Sequence, residues 1–253
     1  MTLTGESGPA SRSAASQART IHSLSGFTRF VEEECEADFV LFRGQPEDLP
    51  LLPRIARLRP RKELLKMERE MLAAFKREAI TFIQQIPDND WDWLSIAQHH
   101  RLPTRLLDWT RNPLAALWFA VEQPARTMDK PGVVWTFSPD GKDIIFDVTR
   151  ESPFQGGRTK VFVPRHITPR IRAQVAVFTI HKYLEKLKKF VPLEQNRQQK
   201  HLLKKLVIPT GNFAEIRRQL DRCGVNASSL FPDIDGVSRY LDWTYSMLHD
   251  EGN

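Results

Sequence analysis

The sequence predicts an α+β fold, a single domain in which a mixed sheet is flanked by helices, and three observations lead there. Apolar residues recur at helical intervals through the first half of the chain. Runs rich in β-branched and aromatic residues, separated by Pro, Gly and charged turns, fill most of the second half. Helices early and mostly strands later are the mark of α+β organisation. The third observation is size, since 253 residues of which 41% are hydrophobic can bury a substantial core.

The elements follow in order. Residues 1–20 are rich in Ser, Ala, Gly and Thr, with too few large apolar residues to offset the entropy of ordering them, so a disordered tail is expected before a domain over 21–253. Ile21, Leu24, Phe27, Phe30 and Val31 have helical spacing. "DFVLFRGQ" then reads as a buried strand, because the apolar run Phe39 to Phe42 is closed by Gly44 and Pro46. After the loop "PEDLPLLPRIARLRPR", Leu64, Met67, Met71, Leu72, Phe75 and Ile80 predict a long helix. "DNDWDWLSIAQHH" predicts another, and "RNPLAALWFAVEQ" a third with Asn112 as N-cap and Pro113 in the first helical position. Between these two helices a constrained polar turn is expected over Thr104 to Thr110, preceded by Pro103, which lacks an amide donor and restricts the residue before it.

In the second half, "GVVWTFSP", "DIIFDV", "KVFVP", "QVAVFTIH" and "KKLVIP" read as strands. "HKYLEKLKKF" is expected as a basic amphipathic helix on the spacing of Leu184, Leu187 and Phe190, followed by the polar linker "EQNRQQK". "NFAEIRRQLDRCG" predicts a helix ended by Gly224, and "SLFPDIDGVSRYLDW" closes the fold.

Composition narrows the function classes. A net charge of +6 and a pI near 9.4 permit attraction to phosphates, but 37 basic against 31 acidic residues is a mild excess that does not establish nucleic-acid binding. Cys35 and Cys223 lie far apart without metal-ligand spacing, so neither a disulfide framework nor a zinc site is indicated, and a reducing cytoplasm is expected. No apolar run approaches a membrane span, and no secretory signal is expected at the N-terminus.

Four segments, "LFRGQ", "AQHHRLPTRLLDWTRNPLAALWFAV", "RAQVAVFTIH" and "SLFPDIDG", together resemble the FRG domain, a family named for its aromatic-Arg-Gly motif, across roughly Phe39 to Tyr240. The sequence departs from the family's usual pattern at Arg101, where a Gly commonly follows the paired ring residues, and at Val175-Ala176, where a Gly-containing pair commonly precedes "FTIH".

Candidate site residues come from these segments. Arg43, at the end of a buried strand, can grip a phosphate or carboxylate with a forked pair of hydrogen bonds, or form an internal ion pair with Asp108. Gly44 lets a ligand or another backbone approach, and Gln45 can present an amide. Thr104, Arg105, Asp108, Trp109 and Thr110 can converge on one small region, and Gln174 can add an amide to it or bridge strands, with Arg170 and Arg172 equally ambiguous. His99 and His100 point about 100 degrees apart on a helix, so only one of them faces a site. His99 is the general acid–base candidate, against a structural hydrogen bond to a carbonyl. Asp233 and Asp235 can orient a ribose hydroxyl or tune each other's pKa, and their plainer reading is turn chemistry with Asp235 capping a helix. The apolar face of Leu114, Leu117, Trp118 and Val121 is core, and no metal site is expected.

Two function classes stand. In the first the protein is an enzyme acting on a nucleotide, by fold-level analogy with ADP-ribosyltransferases. The analogy implies that Arg43 holds the phosphates of NAD, that a Thr and Trp of the central motif line the nicotinamide end, and that a late acid such as Asp235 stabilises charge developing at the ribose. The Ser-Thr-Ser and late Glu-x-Glu elements of that fold are missing. In the second class the protein is a non-catalytic module binding a nucleotide, nucleic acid or protein; aromatic residues interleaved with basic ones along a strand are not evident, which disfavours nucleic acid. A small anionic ligand or nucleotide is the expected partner. The sequence does not assign an oligomeric state.

Overall fold

The computed structural model describes residues 18–124, 130–165 and 169–251. The predicted tail over 1–20 falls mostly outside them, but Arg19 and Thr20 belong to the sheet as a short edge strand. The chain runs β1 (Arg19–Thr20), α1 (Leu24–Glu34), β2 (Leu41–Gln45), α2 (Leu64–Ala79), α3 (Asp90–His99), β3 (Leu106–Thr110), α4 (Pro113–Val121), β4 (Gly132–Phe137) and β5 (Ile144–Ile145). It continues with β6 (Lys160–Phe162), α5 (Pro169–Ala173), β7 (Ala176–Ile180), β8 (Tyr183–Leu184), β9 (Lys189–Phe190), β10 (Leu203–Ile208), α6 (Phe213–Arg222), α7 (Ala227–Leu230) and α8 (Ile234–Tyr245). Among the described residues, eight strands form one mixed sheet in the order β1-β10-β4-β2-β3-β7-β6-β5, parallel only at its two ends. The predicted α+β architecture, a single domain with helices flanking the sheet, is the one observed.

Local chemistry sets the helix that carries the aromatic-Arg-Gly strand. The Asn112 side chain accepts from the amides of Leu114 and Ala115, and Pro113 starts α4. Ala115, Ala116, Leu117, Ala120 and Val121 are fully buried against the sheet. Burial of Leu117 alone is worth roughly 1.5–3 kcal/mol. Contact is so close that a β-carbon on Gly44 would lie 1.8 Å from the Ala116 carbonyl oxygen, and one on Gly132 would lie 2.5 Å from that of Ala120. The backbone that Gly44 admits is therefore that of α4.

Helices α1, α4, α6 and α7 pack over one part of the sheet around Phe42, Val134 and Leu206. Helices α2 and α3 cover Leu106, Phe178 and Ile180 farther along. On the opposite face, Leu41, Leu107, Trp109 and Phe137 are closed off by Leu51 and Leu193 from loops. No helix among the described residues is long and apolar enough to cross a membrane.

Two expectations are corrected and a third is refined. The segment from Leu106 to Thr110, read as part of a turn, is strand β3, paired along its length with β7. Its side chains alternate between two packed faces, Leu106 in one cluster and Leu107 and Trp109 in the other. "HKYLEKLKKF" is a hairpin, because Lys188 adopts a left-handed backbone (φ 47) and turns the chain between β8 and β9. Its apolar residues share no face: Phe190 is buried while Leu187 is 60% exposed. The polar linker "EQNRQQK" is mostly exposed as its composition implies, but Gln199 anchors it, buried and donating to Asp143 and to the Thr159 carbonyl.

Candidate functional site

A break in the sheet creates the site. Strand β2 is paired along its length with β4, and β3 with β7, but β2 and β3 share a single register pair, Phe42 with Thr110. Beyond that pair the strands diverge, and a cleft of about 430 Å³ opens between them. The volume suits one small molecule.

The cleft gathers Arg43, Gly44, His99, Asp108, Trp109, Thr110 and Gln174 from the sequence-predicted set. Gln45, Thr104, Arg105 and Asp235 do not line it. Arg105 is a buried structural residue: its Nε donates to Glu68 Oε1 at 2.7 Å, its Nη2 to Glu68 Oε2, and its Nη1 to the Pro153 carbonyl. Gln45 is buried on the sheet face it shares with Leu41. Asp235 is exposed in the first turn of α8, and the cap of that helix is Asp233, which accepts from the Gly236 amide at 2.8 Å. A β-carbon on Gly236 would lie 1.8 Å from the Phe231 carbonyl oxygen, so "FPDIDG" is foremost a packed turn. It still serves the cleft, because the Phe231 ring supports the Arg170 guanidinium at 4.2 Å.

Arg43 bridges the divergence. Its Nη1 donates to the Asp108 carbonyl at 2.7 Å, while the Asp108 carboxylate stands 4.0 Å away. The Arg43 Nε is buried with no hydrogen-bond partner among the described residues. Burial lowers the Arg43 pKa, Asp108 opposes that, and the Arg57 charge adds to it. Asp108 is held from the other side: Gln98 Nε2 donates to its Oδ2 at 2.9 Å, and Thr104 Oγ1 donates to Gln98 Oε1 at 2.6 Å. Thr104 therefore acts on the site through Gln98.

Trp109, Thr110 and Gln174 build the walls. The Trp109 indole donates to Thr179 Oγ1 at 3.0 Å, and Thr179 bonds His181 Nε2 at 3.1 Å. His181 in turn meets the Val191 carbonyl through Nδ1 at 3.4 Å. Burial holds the His181 pKa down at about 4, with the Val191 bond opposing and Arg43 adding, so the ring is neutral near pH 7. Thr110 Oγ1 donates to the Gln174 carbonyl and accepts from the Asn112 amide at 2.9 Å, while Gln174 Nε2 donates to Leu230 at 3.1 Å. These contacts tie β3, α4, α5 and α7 together. His99 is half-buried, and burial, with the charges of His100 and Arg170, lowers its pKa against the opposing effect of Asp233, which favours the neutral ring.

Sequence reasoning weighed Arg170 with Gln174 and left its role open, and it did not single out Arg54, Arg57 or Arg101 for the site. Arg54, Arg57, Arg101 and Arg170 line the cleft with Arg43, and among the described residues Asp108 is the one carboxylate that lines it. Arg54 and Arg57 sit three residues apart on a one-turn 3-10 helix, the spacing that puts two side chains on one side. That signal lay in a stretch read only as a loop. Among the described residues, no group of three or more His, Cys, Asp and Glu side chains could hold a metal ion.

Residues 38–129 match the FRG domain family, a span that contains the aromatic-Arg-Gly strand and the whole central motif but neither "RAQVAVFTIH" nor "SLFPDIDG". No curated protein and no solved structure matches the chain.

Proposed function

We propose, from the premise that this chain carries an FRG domain over residues 38–129, that its cleft binds a phosphate-bearing nucleotide, with NAD as the first candidate. The observation that carries this reading is the charge of the cleft, which among the described residues is lined by five arginines and a single carboxylate, with the buried Nε of Arg43 unpaired among them. A desolvated guanidinium with free donors is matched by a phosphate oxygen, which accepts charge-assisted hydrogen bonds. Trp109, Phe42 and Phe119 supply apolar wall for a base. The two cysteines, both free, fit a reducing cytoplasm.

Chemistry on the nucleotide centres on Asp108. Its carboxylate lines the cleft, is more than half exposed, and is oriented by Gln98, so it takes the role of stabilising positive charge developing at a ribose in an ADP-ribosyltransferase-like reaction. Calorimetric titration of the protein with NAD, ATP and short oligonucleotides, with product analysis of each mixture, tests the reading. Saturable heat with NAD or ATP supports the nucleotide site, and NAD turnover adds the enzyme. Saturation by an oligonucleotide alone points to a nucleic-acid module, and no heat with any of the three overturns the proposal.

A further inference from the structure

We infer that a second pocket, between the C-terminal end of α4 and helix α8, binds a methylated ammonium group through Glu122 and the aromatic side chains of Trp118, Tyr240 and Trp243. The inference does not rest on the nucleotide reading, because no residue lines both this pocket and the cleft.

Helical spacing assembles the walls. Trp118 and its α4 C-cap, Glu122, are four residues apart, and Tyr240 and Trp243 are three apart on α8, so each pair shares a helix face. Trp118 is packed in the core against Phe119 and Phe231, with ring centroids 5.2 and 6.0 Å away. The Tyr240 and Trp243 rings lie 6.2 Å apart, and the Trp243 indole is fixed by donating to Glu251 Oε1 at 2.9 Å. The pocket they line holds about 140 Å³, well below a drug-sized site and suited to a group of a few heavy atoms.

Charge selects a cation. Glu122 is partly buried and makes no hydrogen bond or ion pair among the described residues, and burial raises its pKa to about 7. A cation entering beside such a carboxylate stabilises its charged form. Two arginines also line the pocket, but both are engaged. Arg217, 3% exposed, donates to the Val121 carbonyl, to Asp250 and to Glu251. Arg239 lays its guanidinium on the Phe231 ring at 3.9 Å and donates to the Asp235 carbonyl. Asp242 lines the pocket too, so with Asp250 and Glu251 four carboxylates stand against those two arginines. The carbonyl end of α4 adds partial negative charge. Aromatic walls then favour methyl groups over N–H donors. An unmethylated ammonium carries three donors and needs acceptors that ring faces do not supply, whereas a methylated one is held by those faces through its charge.

Calorimetric titration with choline, with its uncharged isostere in which carbon replaces the nitrogen, and with free trimethyllysine tests this. Choline is expected to bind saturably and at least about tenfold more tightly than the isostere. Glu122→Gln is expected to fold, to bind the isostere as wild type does, and to lose at least about tenfold in choline affinity. Tyr240→Leu keeps the carboxylate and removes a ring, and is expected to weaken choline more than the isostere. Binding of trimethyllysine with choline assigns the site to the group wherever it is carried, and binding of choline without trimethyllysine assigns it to a small molecule. Equal binding of choline and isostere, choline affinity unchanged in Glu122→Gln, or no binding of any of the three overturns the inference and leaves the nucleotide site standing.

Discussion

Arg43 hydrogen-bonds the backbone carbonyl of Asp108 at 2.7 Å and keeps 4.0 Å from its carboxylate, whose side chain is 56% exposed. The two residues therefore do not form the buried ion bridge that was one of the two readings of their sequence. Removing the Asp108 side chain keeps the backbone carbonyl that Arg43 bonds, and takes away an exposed carboxylate that opposes the desolvation of that guanidinium. Asp108→Leu is expected to change stability by no more than about 1 kcal/mol, the range of exposed pairs. Arg43→Lys keeps the charge, loses the forked donors, and is expected to fold while losing nucleotide affinity. Denaturant melts and titrations of the two variants check both statements; an Arg43→Lys protein that unfolds, or one that binds normally, would show that Arg43 has another role.

A buried ion pair lies elsewhere, between Arg105 and Glu68, whose side chains are 5% and 1% exposed. Glu68→Ala is expected to cost roughly 3–5 kcal/mol, because it strands a guanidinium in the core. Arg105→Met with Glu68→Leu is expected to recover much of that loss and to bind nucleotide as wild type does. Loss of binding by the folded double variant would return Arg105 to the site.

Two buried titratable groups give opposite pH dependences. His181 has its pKa held at about 4 by burial, below an unfolded value of about 6.5. The unfolded chain binds the extra proton, so this contribution is complete above pH 6.5 and is lost as pH falls through 4, on the order of 3 kcal/mol. Glu122, just past α4, is raised from 4.5 to about 7 by burial, against the lowering effect of Arg239 and Arg170. Its contribution is complete below pH 4.5 and is lost as pH rises through 7. Glu122→Gln is therefore expected to stabilise the protein at pH 8 by about 2 kcal/mol after solvent screening, and to have little effect at pH 4. Thermal melts of wild type and variant across that range measure the difference, and a variant no more stable at pH 8 would place Glu122 in better-solvated surroundings.

Elements marked by local chemistry were legible in the amino-acid sequence. The Asn112-Pro113 start of α4, the Gly224 end of α6 (φ 76) and the apolar strand before Arg43 all stand where their residues put them. Caps, left-handed glycines and short apolar runs act within a few residues, so they can be read without a partner. The departures from the FRG pattern were legible in the same way. Arg101 and Val175 both take positive φ, the conformation for which glycine is suited, and at each the chain carries a β-carbon instead.

Tertiary structure decided what faces what. Arg43 and Arg105 are equal in the sequence as candidate anion grips, but one reaches across diverging strands while the other meets Glu68 from α2, 37 positions away. Leu106 to Thr110 became a strand because β7, some 70 residues later, offers a full ladder of partners. Strand pairing is bought with contacts distant in the chain, and no local signal records the partner. The same holds for the cleft's charge. Arg54 and Arg57, Arg101, and Arg170 come from three separated segments, and only the single-pair junction of β2 with β3 gathers them around one carboxylate.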